Sequence, residues 1–128
     1  MSLKSPLGRV LGLGSAGTGT EHWMGQRLSA IAMVPLTFWF GLSLLNLRSM
    51  DFYSTSAWVA VPLHAILLVL LVAALVYHSS LGTQVVVEDY VHSPGLRAAV
   101  LVLLRLLHLA LAAAGIFAVF LIATRVPV

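Results

Sequence analysis

Three apolar runs, each long enough to cross a bilayer, constrain this chain more tightly than anything else in its sequence. A helix needs about 20 residues to span the hydrocarbon core. Residues 24–47, 57–87 and 95–124 each meet that length. Arg48-Ser49-Met50-Asp51 separates the first two, and the stretch from Glu88 to Pro94-Gly95 separates the second and third, ending on a strong turn signal. Pro35 falls inside the first run, where a membrane helix accepts it as a kink if neighbours satisfy the freed carbonyl. Of the 128 residues only 9% are charged, against about a quarter in a soluble domain, so there is too little polar surface to coat a water-soluble globule. The fold class expected is an all-α membrane protein with three transmembrane helices. Residues 1–22 read as a cytoplasmic N-terminal tail and residues 23–128 as a three-helix transmembrane domain.

Several function classes fall away at once. With no cysteine, disulfides, thiolate metal sites and self-ligated iron–sulphur clusters are excluded. The formal charge of +3 is modest, and in such a chain basic residues act as topology signals rather than as a nucleic-acid footprint. Gly12-Leu13-Gly14-Ser15-Ala16-Gly17 matches the glycine pattern of dinucleotide sites, but no strand or βαβ unit can precede it to present a phosphate. The first 20 residues carry Lys4 and Arg9 without the continuous apolar stretch of a secretory signal. Lys4, Arg9, Arg27 and Arg97 lie on one side of the predicted spans, and Arg48 and Arg125 on the other. That bias puts the N-terminus and the second loop in the cytoplasm.

Ionisable groups inside a membrane usually face a bundle interior, a cavity or a cofactor. His64, His78, His92 and His108 lie in or near the spans. His64 and His78 share a helix face but stand about 21 Å apart along it, too far to share one iron. His78 and His108 are each 15 residues from Ser93, so antiparallel packing sets them at similar depth. Each has two readings: a haem ligand, since neutral imidazole binds haem iron, or a core histidine bonded to a neighbouring helix. His78 is the strongest ligand candidate of the set. Past it come Ser79, Ser80, Gly82, Thr83 and Gln84, and then Glu88-Asp89-Tyr90 at the predicted membrane boundary. Tyr90 is there either as an aromatic-belt anchor or as a phenol that hydrogen-bonds a quinone carbonyl, with Asp89 beside it.

His78, Gly82, Gln84-Val85-Val86 and Asp89-Tyr90-Val91, with Gln26-Arg27-Leu28-Ser29 at the start of the first span, together resemble the D-type hydrophobic membrane anchor of succinate dehydrogenase, respiratory complex II. The motif covers about 15 residues and the three-span layout nearly the whole chain. The resemblance implies a non-catalytic anchor subunit within a multi-subunit helical bundle in the bacterial inner membrane. Its partners would be a cytochrome b-type anchor subunit, an iron–sulphur subunit, a flavoprotein subunit and membrane lipid, with no nucleic acid. It implies that His78 is an axial ligand of haem b, the second ligand coming from the partner anchor. It further implies that Tyr90 and Asp89 bind ubiquinone and that Arg27 lies near the haem propionates. His22 is a further residue near that edge, while His64, Arg105 and His108 match nothing in the motif. Two alternatives stand beside this reading: a fumarate reductase-type anchor, and a stand-alone membrane cytochrome b.

Overall fold

A computed structural model of the chain describes residues 16–125, and its regular elements are all helices. They are α1 (Ala16–Leu45), α2 (Phe52–Ala60), α3 (Pro62–Tyr90) and α4 (Pro94–Arg125). Helices α1, α3 and α4 are each long and apolar enough to cross a membrane. At 30, 29 and 32 residues they run for about 45 Å, beyond the hydrocarbon thickness of about 30 Å, so their ends stand in the headgroup region. Helix α1 begins at Ala16, within the stretch read from sequence as a tail. The rest of that stretch, with Lys4, Arg9, Gly12 and Gly14, lies outside the described residues.

The second span differs from its sequence reading. A single helix from Ala57 is expected, but two form, and Pro62 is the reason. Proline has no N–H to give the helix ladder and pushes the residue before it out of the α region. Val61 accordingly sits extended at φ −65° and ψ 121°, closing α2 and opening α3. Asp51 starts α2: its carboxylate accepts from the N–H groups of Tyr53 and Ser54, as an N-cap does. The Ser49 hydroxyl also donates to Asp51. These bonds, the Ser49 and Ser54 side chains first among them, hold the carboxyl at about 2, below its ordinary 3.8.

Helix α3 is the centre of the molecule. It packs against α1 on one side and α4 on the other, α1 and α4 do not meet among the described residues, and α2 lies against α3 and α4. Small residues set these approaches. A Cβ on Gly25 would come within 2.6 Å of the Tyr77 hydroxyl, and one on Gly115 within 3.0 Å of Val72 Cγ1. Such close backbone contact is how membrane helices gain packing energy where lipid is as apolar as leucine. The apolar side chains buried among the described residues are Val59, Leu71 and Val87 alone. Phe38, Leu103, Leu109, Phe117 and Phe120 all face outward. Three helices in an open row, apolar on both outer faces, make a wall to be completed by lipid and other helices.

Candidate functional site

Along α1, His22, Gln26 and Ser29 recur at the spacing that gathers residues on one helix face. That face meets His78 of α3. The His78 imidazole is half-buried, and both its nitrogens touch α1: Nδ1 lies 3.0 Å from Ser29 Oγ and Nε2 lies 3.4 Å from Gln26 Nε2. Ser29 is buried, only 6% exposed, and its hydroxyl donates to the Gln26 carbonyl at 3.0 Å. A serine hydroxyl has one proton. With that proton on the carbonyl, Ser29 Oγ accepts from His78 Nδ1–H, and the imidazole lone pair is left on Nε2. The Gln26 amide meets this lone pair at a length beyond an ordinary N–H hydrogen bond.

Gln26 also lines an open cleft of about 640 Å³ between α1 and α3, with His22, Trp23, Gly82, Gln84, Val85 and Glu88. Gln84 donates to Glu88 at its rim, at 2.8 Å. Two buried polar atoms on this wall, His22 Nε2 and Gln26 Oε1, have no hydrogen-bond partner among the described residues. In its donor chemistry His78 suits a haem iron: a neutral imidazole held at Nδ1 by Ser29, with the Gln26 amide against Nε2. Among the described residues no three metal-binding side chains come together.

The other sequence-predicted residues are not gathered around His78. Asp89 and Tyr90 end α3, both exposed, with Tyr90 78% accessible and about 18 Å along the helix from His78. Arg27 follows Gln26 in the chain but points outward, its guanidinium 5.4 Å from the Trp23 ring centroid, a cation–π contact. His108 does meet α3 at the expected depth. Its Nδ1 lies 2.7 Å from the Leu104 carbonyl and its Nε2 3.2 Å from the Ser79 hydroxyl. It is a satisfied interior histidine, and a haem bridged within the chain by His78 and His108 has no support in that geometry. His64 bonds the Trp58 carbonyl at 2.8 Å and stacks on the Trp58 ring at 4.8 Å, with Trp39 at 5.9 Å. Sequence reasoning missed the bonding roles of Gln26 and Ser29; the polar recurrence at 22, 26 and 29 was their available signal.

The chain matches the model of the succinate dehydrogenase/fumarate reductase transmembrane subunit family over residues 1–123. The chain belongs to this family. It is 34% identical over 107 residues to a protein of Rickettsia bellii (strain RML369-C), covering 84% of this chain and 86% of that one. It is 27% identical over 118 residues to one of Rickettsia conorii (strain ATCC VR-613 / Malish 7), covering 91% and 94%. A third, from Paracoccus denitrificans, is 29% identical over 107 residues, covering 84% and 82%. All three bear the name succinate dehydrogenase hydrophobic membrane anchor subunit. No solved structure matches the chain. The family and the three long apolar helices make this a multi-pass membrane protein.

Proposed function

We propose that this chain is the hydrophobic anchor of a succinate:ubiquinone oxidoreductase in the bacterial inner membrane, with its N-terminus in the cytoplasm. The observation that carries the reading is α3 itself. One membrane-long helix carries the His78 imidazole near mid-span, its Nδ1 against Ser29 and its Nε2 against the Gln26 amide, and ends in an exposed Asp89-Tyr90 pair. The names of the relatives support it, and so does an open helix row that needs partner helices to cover it.

In this reading the chain docks an iron–sulphur subunit and, through it, a flavoprotein subunit where succinate is oxidised. A cytochrome b-type anchor closes the far side of the cleft. His78 would hold the iron of haem b through Nε2, and Arg27 at the outer edge of α1 would offer its charge to the propionates. The haem, when bound, supplies a one-electron store within the membrane. The Tyr90 phenol donates a hydrogen bond to a ubiquinone carbonyl, and Asp89 beside it holds or passes a proton. Reducing the quinone to quinol takes up two electrons and two protons, which suits a polar mouth at the water-facing end of an apolar slot. A fumarate reductase-type anchor is the second reading, since the family description spans both directions of the reaction.

Purification through an affinity tag on this chain tests the proposal. A co-purifying flavoprotein and iron–sulphur subunit, with succinate-dependent ubiquinone reduction, is the expected result. A chain that comes out alone, or with subunits that do not oxidise succinate, refutes it.

A further inference from the structure

We infer that Ser29 is a positioning residue for the haem ligand, setting the tautomer and the donor strength of His78; this rests on the reading of His78 as an axial ligand. Each link is a contact in the structure. The Ser29 hydroxyl gives its proton to the Gln26 carbonyl one turn back on α1 and takes the Nδ1–H of His78 at 3.0 Å. It is 6% exposed, so bulk water does not stand in for it. Without this acceptor, the Nδ1–H has no other partner among the described residues, and the tautomer with its proton on Nε2 loses its handicap. That second tautomer bonds no metal through Nε2.

The bond does more than choose a tautomer. An N–H donated to oxygen pushes electron density onto the ring, so Nε2 becomes the stronger base and favours the more oxidised iron. It also fixes the ring plane against α1, because Ser29 is anchored at its other side to the backbone of its own helix. The local packing allows this contact. Ser29 and His78 meet where Gly25 lets α1 and α3 come close, which brings the hydroxyl within reach of the ring. Ser29 touches neither haem nor quinone in this scheme; it acts through His78.

The test compares Ser29→Ala, Ser29→Thr and His78→Ala in the whole purified complex, reading haem retention on dilution and the haem midpoint potential. Ser29→Ala is expected to weaken haem retention by about 10–100-fold, the usual cost of removing a metal ligand's supporting partner, and to raise the potential. Ser29→Thr keeps the hydroxyl and restores both. If His78→Ala loses the haem while Ser29→Ala changes neither retention nor potential, Ser29 has no positioning role and His78 stands as the ligand. If His78→Ala keeps the haem, the ligand reading itself fails and the proposal goes with it. Should Ser29→Ala not assemble, Ser29→Cys replaces it, since a thiol is a weak acceptor. A potential raised in the cysteine variant and native in the threonine variant supports the inference, and equal potentials in the two overturn it.

Discussion

Tyr90 and Ser29 are opposite cases of a polar side chain on one membrane helix pair. Tyr90 stands in the open at the end of α3, and no side-chain bond holds its phenol among the described residues. Removing the hydroxyl therefore leaves the fold alone and acts only on what the phenol binds. Tyr90→Phe is expected to lower ubiquinone reduction by about tenfold, the equivalent of one hydrogen bond of about 1.4 kcal/mol, with the thermal midpoint of the complex unchanged. Steady-state assays with succinate and a short-chain quinone check this. Tyr90 and His78 were both legible in the sequence, because a histidine in a hydrocarbon run and a tyrosine at its edge break an apolar pattern. Ser29 and Gln26 were not, because small or amide side chains near a helix start look like ordinary headgroup contacts. Only packing against α3 shows that they meet an imidazole.

The helices were readable as long elements but not at their joints. Three spans follow from apolar length alone, and their central positions agree with α1, α3 and α4. The division of the second run into α2 and α3 turns on one dipeptide, Val61-Pro62, whose effect is weak against a long apolar pattern and decisive in the backbone. Asp51 holds the start of α2 through a carboxyl that titrates near 2. Its folded value lies below its unfolded one, so the cap's contribution is full above about pH 4 and is lost as the pH falls toward 2. Protection of the Tyr53 and Ser54 amides, taken relative to their intrinsic exchange rates, is expected to fall across that window, and in Asp51→Asn that fall is absent. The α3–α4 seam gives a second prediction. Gly115→Leu drives a side chain into Val72 and is expected to destabilise the chain by about 1–3 kcal/mol. Gly41→Ala, with nothing within 4 Å of the new Cβ, leaves the thermal midpoint where it was.

As a whole the molecule is an open row with α3 in the middle and apolar surface on both sides. Such a surface cannot face water, and the α1–α3 cleft stands open on its far side. Expressed without a partner anchor, the chain is expected to remain helical by circular dichroism and to lose haem during purification. The orientation proposed from Lys and Arg placement is simple to check in a chain without cysteine. Ser93→Cys is expected to react with an impermeant thiol reagent from the cytoplasmic side, and Ser49→Cys from the other. The most direct measurement of what α3 is for is a reduced-minus-oxidised optical spectrum of the purified complex, taken for the wild type and for His78→Ala. A b-type signal in the wild type that disappears in the variant, while the soluble subunits still co-purify, is the expected result. A signal that survives in His78→Ala would contradict it and move the haem to other ligands.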